Sequence, residues 1–428
     1  MTHANELGAL EAARRIARRE LSAEALVRAC LERIEAREAV VGAWIQLDAE
    51  AVLAEARSLD AGPLRGVLHG LPLGVKDLID TAQLATAYGS PIYAGHRPAW
   101  DAACVASARA AGALVLGKTV TTEFATYHPG KTANPHNPAH TPGGSSSGSA
   151  AAVADFMVPL AYGTQTAGSV IRPAAFCGVV GYKPSFGMIS RAGVKSLAES
   201  LDTIGVFARD VADAALFAGA LAGRDLLSTA TPAAPRIGLC RTHEWGEAAP
   251  EARQAFEAAA AGLSAAGARV HEIELPADFS GLAAAQTEIM AYEAAQAFAH
   301  ESRAHGDQLS VKLRELLAQG AALTPQRYDQ DRLLARRCRH LLSDLFREAD
   351  ILIAPSAPGE APDGLAATGN PVFNRIWTVL GTPCVHLPFA QGPRGLPVGV
   401  QAVGPWGADR ATLAAADWAH TVLRNTGR

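Results

Sequence analysis

Three short segments of the sequence carry side chains suited to nucleophilic chemistry on a carbonyl. Lys76 lies in an apolar run next to glycine, Ser145 lies in a cluster of serines, and Ser169 follows a series of small residues. A serine hydroxyl is a weak nucleophile until a base removes its proton, and a lysine amine is a base only when it is neutral. Burial in apolar surroundings disfavours the ammonium and lowers the pKa of a lysine. Together the three residues therefore suggest an acyl-transfer site with two hydroxyls and one amine.

The order and spacing of these segments are informative. The chain reads Gly-Val-Lys-Asp over 74–77, Pro-Gly-Gly-Ser-Ser-Ser-Gly over 142–148 and Gly-Thr-Gln-Thr-Ala-Gly-Ser-Val-Ile-Arg-Pro over 163–173. With these motifs the chain resembles the amidase signature family over nearly its whole length, and within that family it is most similar to the bacterial malonamidases. The separation of Ser145 and Ser169 matches the spacing of that family's two catalytic serines.

The resemblance implies a Ser-Ser-Lys triad. Ser169 is the expected nucleophile, and Lys76 is the expected terminal base. Ser145, which the resemblance places in a cis peptide, is expected to bridge them as acid and base. The implied reaction is hydrolysis of a small, malonamate-like carboxamide to a carboxylate and ammonia through an acyl-enzyme, with no cofactor and no metal. A rival within the family is the A subunit of the aminoacyl-tRNA amidotransferase, which receives glutamine and works with partner subunits. The stretch from Ser356 to Trp377 favours the stand-alone enzyme.

The resemblance also implies an oxyanion hole, since backbone N–H groups are well suited to hold the negative oxygen that forms during attack. Its expected donors are Thr166, Ala167, Gly168 and Ser169. Ser146 and Thr164 are expected to contact substrate. Two residues depart from the common family pattern, because Gln165 replaces an acid and Ala167 replaces a glycine. If the backbone at 167 required a positive φ, alanine would argue against the oxyanion hole.

Arg172 is the residue most informative about specificity. It lies three positions after Ser169 in an apolar run, where a guanidinium needs an anion to neutralise it. One interpretation is a bidentate clamp on a substrate carboxylate, as in malonamidases. The other is an internal salt bridge with an acidic residue of the protein.

Two other motif matches lack their structural context. Residues 112–119 fit the phosphate-binding loop G-x-x-x-x-G-K-[ST], but a helical pattern precedes them and Leu-Val-Leu inside them resembles a strand. This match supports a rival of another class, a non-enzymatic nucleotide-binding protein. Residues 144–148 fit the G-x-S-x-G nucleophile elbow, but no apolar strand precedes them. Asp350 and His386 would be available downstream for such a Ser-His-Asp site.

Composition limits the class of protein. The 428 residues carry 38 basic and 42 acidic side chains, a net charge of -4, which gives no basic field for nucleic acid. The six cysteines are scattered singly, which signals neither a disulfide framework nor a zinc cluster. The most apolar stretch, 156–171, is too short and too interrupted to span a bilayer. We therefore expect a cytoplasmic enzyme with a small-molecule amide substrate and no nucleic-acid or membrane partner, and a homodimer stays open.

These groups need a framework to position them. Alternating helix and strand patterns, such as 101–111 into 114–116 and 250–267 into 269–275, predict an α/β fold. Such alternation predicts a sheet covered on both faces by helices, and residues 1–60 predict an N-terminal helical layer. The resemblance implies a single large domain over 1–428 with a central mixed β-sheet. Thr229–Pro235 is the best candidate for a surface connection.

Overall fold

A mixed sheet of eleven strands forms the centre of the computed structural model, which describes residues 3–227 and 234–426. In chain order the strands are β1 Trp44–Leu47, β2 Pro72–Lys76, β3 Leu114–Thr119, β4 Leu160–Gln165, β5 Val180–Lys183, β6 Thr203–Ala208, β7 Arg236–Leu239, β8 Arg269–Glu272, β9 Ile351–Pro355, β10 Cys384–Gln391 and β11 Pro397–Val403. Their order across the sheet is β1-β3-β2-β4-β6-β5-β10-β11-β9-β7-β8. The pairs β2/β3, β2/β4, β7/β8 and β7/β9 are parallel, and the other pairs are antiparallel.

Helices flank this sheet. They are α1 Ala9–Ala17, α2 Ala23–Val41, α3 Ala49–Ala61, α4 Ala103–Ala110, α5 Ser147–Ala154, α6 Ile171–Cys177, α7 Val211–Ala222, α8 Pro250–Ala265, α9 Leu282–Ala297, α10 Ala299–Ala304, α11 Val311–Ala322, α12 Pro325–Leu345, α13 Val372–Leu380 and α14 Asp409–Thr426.

The two faces of the sheet carry separate apolar cores. In β9, Ile351 and Ile353 belong to one core, whereas Leu352 and Ala354 belong to the other. Since successive residues of a strand point to opposite faces, the two cores lie on opposite sides. Helices α1–α5, α7, α8 and α14 contribute to the first core, and α9, α11, α12 and α13 to the second. The predicted α/β domain with a mixed sheet between helical layers is confirmed.

The N-terminal region differs from the expected helical layer over 1–60. It contains α1, α2 and α3, but β1 lies between the last two and pairs antiparallel with β3 at the edge of the sheet. Gly42 ends α2 in the left-handed conformation, with φ 61°. The chain then enters Trp44-Ile-Gln-Leu, whose aromatic and β-branched residues favour a strand. The helical periodicity on either side obscures these four residues.

The strand β3 also decides the phosphate-loop hypothesis. Residues 114–119 are a buried strand, and Lys118 donates to Ile79 O and Thr86 Oγ1 inside the protein. No loop is present there to surround a phosphate, so the nucleotide-binding interpretation is wrong. Most of the predicted connection Thr229–Pro235 lies outside the described residues.

The sheet topology positions the candidate site. Strands β2 and β4 are parallel neighbours, so their carboxyl ends meet at one edge, where ligands bind in open α/β sheets. Lys76 is the last residue of β2 and Thr164 lies near the end of β4. Ser169 follows four residues after β4, and Ser145 lies just before α5.

Candidate active site

Lys76 is a completely buried amine surrounded by hydroxyl groups. Its Nζ lies 2.8 Å from Ser145 Oγ and 2.7 Å from Thr164 Oγ1. Burial holds the pKa of Lys76 well below its ordinary value of 10.5, and the charge of Asp202 opposes this in part. A neutral amine here donates to Thr164 and directs its lone pair at the Ser145 hydroxyl. The arrangement is able to take a proton from Ser145.

Asp77 and Asp80, the acids that follow Lys76, do not face it. The Asp77 carboxylate lies 3.5 Å from Lys118 Nζ, and Asp80 accepts from the Tyr88 hydroxyl at 2.8 Å. Neither acid therefore holds the Lys76 amine in its charged form.

The serine cluster divides into different roles. The Gly144–Ser145 peptide bond is cis, as the resemblance implies, and Ser145 is buried beside Lys76. Ser146 is fully buried, and its hydroxyl accepts from Thr164 N at 3.2 Å. Both hydroxyls are thus engaged within the protein, and contact of Ser146 and Thr164 with substrate stays a prediction. The Ser146 hydroxyl is used by the β4 backbone, and the Thr164 hydroxyl is used by Lys76.

Ser169 lies in a narrow pocket at the end of β4. It is 8% exposed, and no hydrogen bond from its hydroxyl to another described residue is formed in this structure. The Lys76–Ser145 hydrogen bond is thus in place, whereas a bond from Ser145 to Ser169 is not. Ser169 therefore lines this pocket with a hydroxyl that has no hydrogen-bond partner among the described residues.

Gln165 organises the loop that carries Ser169. Its Oε1 accepts from the backbone N–H groups of Val170 and Ile171 at 2.8 and 3.0 Å. Its Nε2 donates to Thr378 Oγ1, and that hydroxyl donates to Ala167 O at 2.7 Å. An acid would supply the acceptor but not the donor. The departure from the family pattern is therefore matched by a polar contact that only the amide can make.

The second departure, Ala167, is compatible with its backbone. Ala167 is not among the described residues with positive φ, so alanine is unstrained there. Gly168 is required for a different reason, since a Cβ would lie 2.4 Å from Asn374 Oδ1 and 2.8 Å from Pro371 Cβ. The objection raised by the sequence against the oxyanion hole does not apply.

Arg172 is a buried cation with no acidic partner among the described residues. One of its terminal nitrogens, Nη2, donates to Gly144 O at 2.6 Å and to Thr368 Oγ1 at 3.1 Å, and its Nε has no partner in the described part of the chain. Burial, reinforced by the charge of Arg375, lowers the pKa of Arg172 to about 9. The internal salt bridge considered from the sequence is therefore absent around this guanidinium.

Further residues of the site could not be found from the motifs. Asp202 precedes β6 and accepts from Thr166 Oγ1, and Gln286 of α9 donates to Thr166 O at 2.8 Å. Arg375 of α13 donates to Gln286 in turn. These contacts join segments that lie far apart in the sequence. The one local feature that could have drawn attention to them is Asp202, an acid directly before the wholly buried strand β6.

The pocket has an inner and an outer part. The inner part, about 20 Å³, is lined by Ser169, Arg172 and mostly apolar or uncharged neighbours such as Met290. The outer part, about 310 Å³, includes Lys312 and Glu315. Tyr127, Leu316 and Thr368 line both parts. These shared side chains form the wall between the nucleophile and the larger outer cavity.

The Ser-His-Asp alternative does not assemble. Asp350 pairs with Arg236 at the surface, and buried His386 contacts Ser356 Oγ at 2.7 Å through Nδ1. Neither is in contact with the serine cluster. Over residues 3–227 and 234–426, no group of three or more His, Cys, Asp or Glu side chains is arranged to hold a metal ion. In the same ranges, no helix has the length and apolar character needed to cross a membrane.

A family model described as Amidase matches residues 25–413. The chain belongs to the amidase family. Its similarity to other members extends over almost its full length. The A subunit of the glutamyl-tRNA(Gln) amidotransferase of Thermus thermophilus is 35% identical over 451 residues, covering 94% of each chain. The corresponding protein of Acidothermus cellulolyticus is 36% identical over 94% of this chain and 91% of its own.

Solved structures agree with this assignment. A crystal structure of an amidase has a TM-score of 0.90 and 34% identity, covering 97% of this chain and 100% of the other. Peptide amidase from Stenotrophomonas maltophilia has a TM-score of 0.83 and 32% identity, covering 98% and 97%. These relatives establish an amide-hydrolysing family. The finer resemblance to malonamidases stays a prediction, because the two curated relatives named above are amidotransferase A subunits.

Proposed function

We propose that this protein hydrolyses a small amide that carries a carboxylate, with Ser169 as nucleophile. The observation that carries the proposal is Arg172, a buried guanidinium in the pocket wall with no acid to pair with among the described residues. A buried cation is costly unless an anion neutralises it. A substrate carboxylate supplies that anion and leaves the amide end of a short molecule near Ser169.

In the proposed reaction the proton moves along two hydroxyls. Ser169 Oγ attacks the amide carbonyl carbon, its proton passes to Ser145, and the Ser145 proton passes to neutral Lys76. Backbone N–H groups of 166–169 hold the oxyanion. When the tetrahedral intermediate collapses, the leaving nitrogen takes a proton back along the same path and departs as ammonia. Water then attacks the acyl-enzyme by the same relay, releasing the acid and restoring Ser169.

Malonamate-like amides are the first choice of substrate. The inner pocket is small, and the residues that line it include the cation Arg172 but no carboxylate. A short monoanion therefore matches its charge.

The second candidate is the glutamine-accepting A subunit of an aminoacyl-tRNA amidotransferase. The curated relatives favour it, since proteins of that name match more than nine-tenths of this chain. Glutamine also bears a carboxylate that would satisfy Arg172. Its ammonium, however, would need an acid, and Glu315 in the outer part of the pocket is the acid available there.

Ammonia release from malonamate, its neutral analogue malonamide and glutamine tests the proposal. We expect kcat/KM to be highest for malonamate. In Arg172→Leu, kcat/KM for malonamate should fall about 10²-fold, as loss of a charge-assisted contact predicts, with little change for malonamide. Equal losses for both amides would reject the carboxylate contact. Arg347→Leu, at an exposed position, is the control.

Different outcomes point to the second candidate. A preference for glutamine, together with co-purification of partner subunits and glutamine-dependent amidation of tRNA, would replace malonamate with the amidotransferase role. If no amide releases ammonia, the proposed hydrolysis is wrong.

A further inference from the structure

Asp202 is a buried carboxylate that joins two walls of the pocket without lining it. We propose that Asp202 is a positioning residue of the reaction. It fixes residues 166–169, the oxyanion loop, through Thr166 and acts on Lys76 through its charge. This role rests on the proposed function, since it concerns the same site.

The hydrogen bonds of Asp202 define the geometry. Its Oδ1 accepts from Thr166 Oγ1 at 2.5 Å. Its Oδ2 accepts from Ser196 Oγ at 2.9 Å and from the backbone N–H groups of Leu197 and Ala198 at 2.8 and 3.0 Å. Four donors converge on the two oxygens and favour the ionised form, while burial raises the pKa of Asp202 above its ordinary value.

These contacts link parts of the site that the chain separates. Thr166 begins the run of backbone donors that leads to Ser169, and Leu197 lines the inner pocket. Both attach to the same carboxylate, so its position determines how the loop is held against the pocket wall. A misplacement of about 1 Å in such a loop is enough to cost about 10²-fold in rate.

The charge of Asp202 acts on the terminal base. Lys76 has hydroxyl neighbours from β4 and from the loop before α5, and the one charged residue of the adjacent strand β3, Lys118, pairs with Asp77. The register places Lys118 opposite Val75 rather than Lys76. Asp202 directly precedes β6, whose Thr203 and Ile204 pair with Gln165 and Thr164 of β4, and Thr164 in turn contacts Lys76. From this place its charge favours the ammonium form of Lys76 and raises the Lys76 pKa against the effect of burial. Loss of that charge should lower the Lys76 pKa further.

Asp202→Asn removes the charge at nearly constant size. We expect kcat to fall about 10²-fold with little change in KM. The acid limb of kcat/KM should move about 1 pH unit lower, because Lys76 loses its proton more readily. The Lys76 pKa is measured directly, without substrate, from the ¹³Cε resonance in protein containing ¹³C-lysine, assigned with Lys76→Met.

Thr166 provides a variant that separates the two effects. Thr166→Val deletes the hydrogen bond to Oδ1 and keeps the charge, so kcat should fall about 10-fold while the NMR midpoint of Lys76 stays unchanged. Thr166→Ser keeps the hydroxyl and should restore kcat. If Asp202→Asn does not fold, unchanged kcat in Thr166→Val overturns the positioning role.

The NMR readout distinguishes this role from the proposed hydrolysis. A wild-type protein that releases no ammonia would refute the proposed function, and the Lys76 midpoint in Asp202→Asn would still decide the effect of the charge. A Lys76 midpoint that is unchanged or raised in Asp202→Asn would overturn the proposed effect of the Asp202 charge. A purely structural role would lower the melting temperature and leave the midpoint in place.

Discussion

Lys76 Nζ lies 2.8 Å from Ser145 Oγ, and both side chains are almost completely shielded from solvent. At this distance the two groups form a direct hydrogen bond. Because burial disfavours the ammonium and holds the pKa of Lys76 well below 10.5, the neutral amine that can act as a base is favoured. This pair links β2 to the loop before α5, and the proposed relay depends on it.

Alanine substitutions test the relay. Lys76→Ala, Ser145→Ala and Ser169→Ala should each lower kcat for the best amide by about 10³-fold or more, since acid–base and nucleophilic groups contribute at least that much together. Ammonia release under saturating substrate measures the loss. Ser147→Ala is the matched control, because this serine belongs to the same cluster but its hydroxyl donates to Val120 O. Wild-type turnover in Ser169→Ala would refute that nucleophile.

Lys76 should also leave a signature in the pH dependence of folding. Its folded-state pKa lies well below the ordinary 10.5. Between these two values the unfolded chain binds one more proton at this position, so the free energy of unfolding rises with pH there, by at most about 1.4 kcal/mol per unit. Relative to Lys76→Met, the wild type should therefore gain stability in urea unfolding as the pH rises towards the ordinary lysine pKa of 10.5. A constant difference would show that Lys76 keeps an ordinary pKa.

How much of the site the sequence predicts depends on how far apart along the chain the contacting residues lie. Lys76, Ser145 and Ser169 are recognisable because polar side chains stand in apolar or glycine-rich segments with a family spacing. Asp202 and Gln286 escape such reasoning, since their contacts with Thr166 span 36 and 120 positions. The pairing of distant segments is a property of the folded sheet.

The fold shows the same division. The α/β class follows from alternating helix and strand patterns, and the structure confirms it. The edge strand β1 escapes prediction because Trp44–Leu47 is only four residues long and lies between two strong helices. Substrate contact by Ser146 and Thr164 stays a prediction, because their hydroxyls contact the β4 backbone and Lys76 in this structure.

The oxyanion loop allows a paired test of backbone and side-chain effects. Gly168→Ala should lower kcat by about 10²-fold or more, because the new Cβ would lie 2.4 Å from Asn374 Oδ1 and force the loop to shift. Ala167→Gly should have a small effect, since Ala167 does not occupy a positive φ. Steady-state kinetics on one amide compare the two variants. Equal losses of kcat in the two variants would mean that something other than the contact with Asn374 makes this loop sensitive to substitution.

Leu316 gives a test of substrate length. Its side chain belongs to both parts of the pocket and is buried on α11, so it limits the space beyond Ser169. In Leu316→Ala, kcat/KM for a longer ω-amide such as glutaramate should rise about 10-fold relative to malonamate, in line with the value of one or two methylene groups in an apolar pocket. Leu333→Ala, 58% exposed on α12, is the matched control. Because truncating a buried leucine costs about 2–5 kcal/mol, unfolding must be measured alongside. An unchanged ratio in a folded Leu316 variant would show that the wall between the two cavities does not select for length.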